Sequence, residues 1–375
     1  MAGRTAKERE ALARQNAAIM AVFERAGFEQ IAPDIIQPAD IFLERSGEDI
    51  RARTFVFNDP NGAELCLRPD LTVPACRFHL SHAGQPEKEA RYSYLGPAFR
   101  FPDEKLSPQE FTQAGLEWFG AGEAVAAEAR MLKLAVSALE AAGASALQVT
   151  LGDVGLFAGL LQDTAMPERW RRRLQHQFWR PEAFKALLHS FALGGGKKRS
   201  SISEVIDAIG TANPQDAAVR WLEEHHLPQQ GLRGIDEVAA RLAEKLADRS
   251  ETPLPQAAVE KLEAYLAVEG GAEDVLQSLR AISGGAGYAA ALAHYEARLA
   301  ALEEQGLNPK RFRFSANFGR EIEYYTGFVF QVEARGLNLA GGGRYDDMLQ
   351  DLGAAQRIPA LGFAIHTERL QVALS

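Results

Sequence analysis

The chain has 375 residues, with Lys+Arg 41 against Asp+Glu 50, a formal net charge of −9 that argues against binding a large polyanion over the whole surface. Hydrophobic residues make up 46% and charged residues 24%, an ordinary globular composition in a chain long enough for two domains with sizeable cores. Its two cysteines, Cys66 and Cys76, build no disulfide framework, and no run approaches the roughly 20 apolar residues of a membrane helix. The first ten residues are polar, without an apolar signal segment, so a cytoplasmic protein off the membrane is expected.

Residues 7–26 are rich in Ala, Leu, Glu and Arg and predict a helix that stops at Gly27. Ile31-Ala-Pro-Asp-Ile-Ile36 reads as extended. Thr54-Phe-Val-Phe57 and Leu65-Cys-Leu67 flank Asn58-Asp-Pro-Asn-Gly62, turn residues between two apolar runs, which predicts a hairpin. A second strand pair is expected at residues 91–100 and 110–119, then a helix over 123–142 and a strand over 147–151. From about Pro167 to Ser283 nearly every segment has helical spacing, as in residues 220–226 and 234–246. Breaks such as Leu193-Gly-Gly-Gly196 and Glu251-Thr-Pro-Leu-Pro255 separate them. A helix over 288–305 leads back to strands at 311–315 and 328–332, and to a final Gly-rich hairpin and helix. Strands at both ends with helices between predict an α+β fold. We expect a largely antiparallel sheet of six or seven strands with helices on its faces. The expected parts are 1–165, a helical insertion over 166–283, and 284–375.

Several motifs have ordinary explanations. Gly194-Gly-Gly-Lys-Lys-Arg-Ser200 has Lys198 where a phosphate loop needs Ser or Thr, so a flexible basic loop is the better reading. His225 and His226 are adjacent and face different directions on a helix, and no HExxH is present, which argues against a metal site. Gly341-Gly-Gly-Arg-Tyr-Asp346 fits close backbone approach to a ligand, and equally a tight hairpin. Arg320-Glu-Ile-Glu-Tyr-Tyr-Thr-Gly327 reads either as a ligand contact or as an edge-strand cluster. On the 110–119 strand, alternation puts Gln113, Gly115 and Glu117 on one face. A carboxylate and an amide there suit the protons of a small cation. A solvated sheet face is the plain alternative.

In this order the segments resemble the histidyl-tRNA synthetase family, a class II synthetase core. The matching pieces are Leu67-Arg-Pro-Asp-Leu-Thr72, Tyr94-Leu-Gly-Pro-Ala-Phe-Arg100, Glu110-Phe-Thr-Gln113 with Glu117, Arg320 with Glu323-Tyr-Tyr-Thr-Gly327, Gly341-Gly-Gly-Arg-Tyr-Asp346, and Pro359-Ala-Leu-Gly-Phe-Ala-Ile365 with Glu368-Arg-Leu370. The resemblance implies a histidine pocket of Asp70, Thr72, Gln113, Glu117, Arg320, Tyr324 and Tyr325. Asp70, Thr72 and Glu117 match positions around the α-ammonium group, Gln113 and Arg320 positions near the carboxylate, and the Tyr pair borders the imidazole. Arg100 and Arg369 match the arginines that clasp ATP.

Departures from the pattern bear on function. Pro102 stands where the family usually has Glu, and Asp103 and Glu104 sit where a tRNA end would approach. His366 replaces a Gly that leaves room for the nucleotide, and Glu321 stands where Gly is usual. The chain stops at Ser375, so the anticodon-binding domain that follows in synthetases is expected to be missing.

A synthetase core with a histidine pocket and a damaged ATP site resembles the ATP phosphoribosyltransferase regulatory-subunit family. That resemblance implies no catalytic residue, no cofactor and no metal, and no nucleic-acid partner. It implies a short-form catalytic phosphoribosyltransferase chain as partner in a hetero-octamer, a homodimer built on the segment around residues 28–42, and histidine as feedback effector in the first step of histidine biosynthesis. The competing readings are a stand-alone enzyme that adenylates histidine or a related substrate, and a histidine-sensing module for another partner.

Overall fold

The first helix, Ala6–Arg25, starts at a capping box. The Thr5 hydroxyl accepts from Glu8 N, and the Glu8 carboxylate accepts from Thr5 N at 2.7 Å. It ends where Gly27 takes φ +83°, a backbone conformation that favours glycine. The computed structural model describes residues 3–45, 52–101, 109–178, 180–194, 240, 243–244, 247–248, 250–318 and 324–374.

The strands are β1 (Glu29–Gln30), β2 (Ile36–Pro38), β3 (Phe55–Asn58), β4 (Glu64–Leu67), β5 (Ala90–Phe99), β6 (Glu110–Phe119), β7 (Gln148–Asp153), β8 (Glu269–Gly271), β9 (Arg313–Ser315), β10 (Phe328–Ala334), β11 (Leu337–Arg344) and β12 (Ala360–His366). Among the described residues nine strands form one sheet, in the order β1-β5-β6-β12-β11-β10-β7-β9-β8. Strands β2, β4 and β3 form a second, smaller sheet. The β1–β5 and β7–β9 pairs are parallel and the others antiparallel. The large sheet exceeds the expected six or seven strands. The extra members are edge pieces such as β1 and β8, two and three residues long, too short to give an alternating pattern.

The expected hairpin is β3–β4. Its turn is held by the Asp59 carboxylate, which accepts from Asn61 N and Ala63 N at 2.8 Å each, and Gly62 sits at φ +88°. Helices Ala6–Arg25, Ala124–Ala141 and Thr367–Leu374 contact one another or the strands β6, β11 and β12 on one face of the large sheet. Phe23 meets Phe363 edge-on there, 5.7 Å between centroids. Helix Thr72–His82 belongs with the pieces around the opposite face, where a core of Phe42, Cys66, Cys76, Phe119 and Tyr345 lies.

The chain separates into two compact units, 1–163 with 265–375, and 164–264. The expected insertion ran to residue 283, so residues 265–283 are placed differently. Strand β8 lies among them and pairs with β9, and the helical spacing on either side masks it in the sequence. In the second unit, Trp170 stacks on Phe191 at 4.2 Å and donates its indole N–H to Asp248. Asp248 also accepts from Arg169 at 2.8 Å. Lys197, Lys198, His225 and His226 lie outside the described residues. Among the described residues no helix is long and apolar enough to cross a membrane.

Candidate functional site

Strand register builds the floor of the site. Glu117 pairs with Tyr92 on β5 and Gly362 on β12, and Gly362 pairs with Gly343 on β11. Two residues along, Gly115 pairs with Tyr94 and Ala364; two further, Gln113 pairs with Gly96 and His366. Gln113, Gly115 and Glu117 therefore share a face, because side chains alternate along a strand. The intervening Ala114, Leu116 and Trp118 are buried on the helix-covered face.

Glycines clear space above this floor. A Cβ on Gly115 would come within 2.5 Å of the Tyr94 ring and of Phe363 O. A Cβ on Gly362 would fall on Glu117 Oε2, and one on Gly343 would lie 3.0 Å from Tyr325. Gly342 and Gly343 thus serve close backbone approach within the sheet, Gly342 lying against Gly362 O. Of the two readings open for that run in the sequence, the structure shows the hairpin strand, β11, paired with β10 and β12.

Glu117 has no exposed surface. Tyr94 donates its hydroxyl to Glu117 Oε1 at 3.0 Å, and Tyr345 donates to Oε2. Burial pushes the Glu117 carboxyl up to about 8, although hydrogen bonds from Tyr345, Thr72 and Tyr94 work against this. Asp70, 4% exposed, stands near enough to raise it further. Asp70 is itself raised by burial, with Arg100 opposing. Its Oδ1 accepts from Val73 N at 3.3 Å at the start of the Thr72–His82 helix. Among the described residues its buried Oδ2 has no hydrogen-bond partner. An unpaired buried carboxylate oxygen is costly, and either a proton or a cation removes that cost.

Gln113, 3% exposed, accepts from Leu71 N through Oε1 at 3.2 Å. Tyr324 and Tyr325 meet edge-on at 5.0 Å, and Tyr324 also meets the Tyr345 ring at 5.7 Å. Burial, and then the neighbouring Tyr325, Asp70 and Glu117, push the Tyr324 hydroxyl's pKa up; burial and Glu117 do the same to Tyr325. So Asp70, Thr72, Gln113, Glu117, Tyr324 and Tyr325 come together around one face. Arg320, the remaining residue of the expected set, lies outside the described residues, as do Pro102, Asp103, Glu104 and Glu321.

Sequence reasoning passed over Tyr94 and Tyr345, the two hydroxyls that hold Glu117. Tyr94 had a signal, because it sits opposite Gly115 once the β5–β6 register is known. Tyr345 follows β11, where no alternation reaches it. Arg68 was also passed over: 3% exposed, it donates to Pro33 O at 2.5 Å and Pro97 O at 2.8 Å, and so fixes the segment that carries Asp70.

The family model for histidyl-tRNA synthetase matches residues 3–246 and 228–370. An ATP phosphoribosyltransferase regulatory subunit from Brucella anthropi is 37% identical over 357 residues, 92% of this chain and 93% of that protein. The protein of the same description from Brucella canis is 36% identical over 356 residues, 92% of each. The chain belongs to the histidyl-tRNA synthetase-like family of ATP phosphoribosyltransferase regulatory subunits.

The fold of this regulatory-subunit family member is class II synthetase-like. A solved ATP phosphoribosyltransferase regulatory subunit/histidyl-tRNA synthetase from Bacillus halodurans matches with TM-score 0.72 at 20% identity, covering 100% of this chain and 82% of that one. A histidyl-tRNA synthetase from a Nostoc species matches with TM-score 0.62 at 17% identity, covering 98% and 72%. The expected α+β class, with a mostly antiparallel sheet and flanking helices, agrees with both.

In this family member the two expected nucleotide-site arginines stand beside the polar face. Arg100 donates to Pro69 O at 2.7 Å, directly before Asp70, and its guanidinium lies 5.4 Å from the centre of the Phe111 ring. Arg369 reaches Asn338 O at 3.4 Å.

Proposed function

We propose that this chain is a non-catalytic regulatory subunit of ATP phosphoribosyltransferase, supporting the first step of histidine biosynthesis in the cytoplasm and carrying its feedback inhibition by histidine. The observation that carries the effector reading is the Asp70–Glu117 pair: two buried carboxyl groups, one with an orphaned oxygen, on a glycine-cleared sheet face. An α-ammonium group entering there gives Asp70 Oδ2 its missing donor and replaces the proton on Glu117. Gln113 and Arg320 then take the carboxylate, and Tyr324 and Tyr325 border the imidazole. No residue of the chain acts on the phosphoribosyl transfer, which belongs to a short-form catalytic chain in a hetero-octamer.

A homodimer fits the small sheet. Its register puts Ile36, Leu67 and Phe55 in one row and Pro38, Leu65 and Phe57 in the next, all on one face. Ile36 is 52% and Phe57 38% exposed, an apolar strip that a second copy covers by two-fold symmetry.

Co-purification with a short-form ATP phosphoribosyltransferase, assayed with and without histidine, tests the reading. Asp70→Ala with Tyr325→Phe should keep activity in the assembly and shift the histidine inhibition curve at least tenfold to higher concentration. An overlaying curve rejects this pocket as the effector site. A stand-alone histidine-adenylating enzyme, the reading that Arg100 and Arg369 favour, would show histidine-dependent exchange of pyrophosphate into ATP; none is expected.

A further inference from the structure

Two chain segments are shared between the pocket of Asp70 and Glu117 and a second cavity, of about 400 Å³. Tyr345 holds Glu117, while its neighbours Arg344 and Asp346 line the cavity. Tyr325 belongs to the pocket, while Thr326 and Gly327 line the cavity. Buried charge gathers on the cavity wall as well, in Glu128, Asp153 and Arg298. Every carboxylate oxygen there is already taken. Glu128 Oε1 accepts from Arg344 Nε and Oε2 from Arg298 Nε, each at 2.6 Å, and His294 Nε2 donates to Oε2 at 3.3 Å. Asp153 accepts from Gly155 N at 2.8 Å and from Arg298 Nη1 at 2.7 Å. Asp346 Oδ1 accepts from Arg344 Nη1 at 3.0 Å and Ala360 N at 2.9 Å, and Arg357 stands 3.5 Å from Oδ2.

Three carboxylates thus meet three guanidinium groups, and their charges cancel. Donors are left over. Among the described residues, Arg298 Nη2 gives no hydrogen bond, although Arg298 is only 1% exposed. A buried guanidinium nitrogen without an acceptor is costly, and a guest that brings an acceptor removes that cost. The Ala124–Ala141 helix also begins at the cavity, and no side chain caps its first N–H groups. With its carboxylates filled and its donors unspent, the cavity favours an anion over a cation. Because the resident charges cancel, one negative charge suits it better than two. The remaining wall is apolar. Ala290 and Ala291, on the Ala286–Glu304 helix, stand there with the Phe328 ring, which lies 4.6 Å beneath the Arg298 guanidinium.

We propose that this cavity is a second ligand site, which binds a small monocarboxylic acid as its anion. The carboxylate takes Arg298 Nη2 and the first N–H groups of the Ala124–Ala141 helix, and the hydrocarbon stem lies against Ala290, Ala291 and Phe328. The inference does not depend on what fills the pocket of Asp70 and Glu117.

The experiment titrates the full chain with butyrate, butylammonium and inorganic phosphate, followed by ligand-observed NMR. Butyrate should bind saturably. Butylammonium, with the same stem and the opposite charge, and phosphate should neither bind nor displace it. Arg298→Lys keeps the positive charge but lacks the second guanidinium nitrogen, and should weaken butyrate about tenfold or more. Ala291→Leu narrows the cavity without touching the charged groups, and should weaken butyrate as much while staying folded by circular dichroism. Glu117→Gln should bind butyrate unchanged, which separates this site from the other pocket. The proposal is overturned if the unmodified chain does not bind butyrate, or if folded Ala291→Leu binds it equally well. It is equally overturned if butylammonium or phosphate displaces butyrate, or if Glu117→Gln loses it. Should Arg298→Lys not fold, Ala291→Leu and Ala290→Leu carry the test with the same expectations.

Discussion

At the scale of single residues, the proposed function makes Glu117 the link between proton and ligand. Its carboxyl is raised from an ordinary 4.5 to about 8, so below that pH it is protonated in the empty protein. An acid whose folded pKa is raised contributes most to stability at low pH, and that contribution is lost as pH climbs from 4.5 towards 8. A bound α-ammonium group reverses the preference by favouring the carboxylate. Histidine binding should therefore release a proton at pH 7, and its affinity should rise with pH and level off near 8. Titration in buffers of differing ionisation enthalpy checks this; a pH-independent affinity would show that Glu117 is not the ammonium's partner. Glu117→Gln mimics the protonated form. It should melt within ~1 kcal/mol of the unmodified chain yet bind histidine at least tenfold more weakly, since one partner of a charged pair contributes about 2–5 kcal/mol. Glu117 and Gln113 were legible in the sequence because strand alternation alone puts them on one face. Tyr345 was not, because its place depends on where the chain turns after β11.

Among elements, the β6–β12–β11 triplet sets the site by what it omits. Gly362 lies directly beneath the Glu117 carboxylate and against Leu116 O, at 2.5 Å from where its Cβ would stand. Gly362→Ala should overpack this layer, costing about 1–3 kcal/mol in chemical denaturation, and should displace Glu117 so that histidine binding is lost. A variant that melts and binds like the unmodified chain would show that the glycine floor is incidental. The long elements were visible beforehand for simple reasons. The first helix carries its own cap and glycine stop, β5 and β6 alternate over ten residues, and the β3–β4 turn is spelled out by Asp59 and Gly62. β1 and β8 were hidden because a two- or three-residue strand is made by its neighbour, not by its own pattern. The sequence also did not disclose that His366 and Phe111 stack, since that contact joins segments 255 positions apart only after β12 docks on β6.

Across the core unit, a buried charged junction joins distant elements. Glu128, on the Ala124–Ala141 helix, accepts from Arg298 Nε and Arg344 Nε at 2.6 Å each, and Arg298 also donates to Asp153 at 2.7 Å. These groups tie helix Ala286–Glu304, the end of β7 and the end of β11 together. Burial alone would raise the Glu128 carboxyl, but Arg298, His294 and Arg344 more than offset it and hold it well below 4.5. Its contribution to stability is complete above 4.5 and is lost as pH falls below that value. Glu128→Ala leaves two buried arginines short of a partner and should cost about 3–5 kcal/mol, read as a lower melting temperature at neutral pH. A variant with an unchanged melting curve would mean the junction is balanced without Glu128. Sequence spacing offered no hint of this network, whose members come from four separate stretches of chain.

The strand order has a consequence for biosynthesis. β6 and β7 are made early, yet β12, β11 and β10 stand between them in the finished sheet. On the ribosome, each of these early strands presents an unpaired edge until residues 328–366 have emerged. Such edges invite pairing with other nascent chains, and contacts this distant in sequence close slowly. Because Gly362 and Tyr345 belong to that last stretch, the cavity around Glu117 does not exist on a nascent chain. The site proposed for histidine is therefore completed only when the last strands have docked, and until then the open edges of β6 and β7 are the part of the chain most exposed to mispairing.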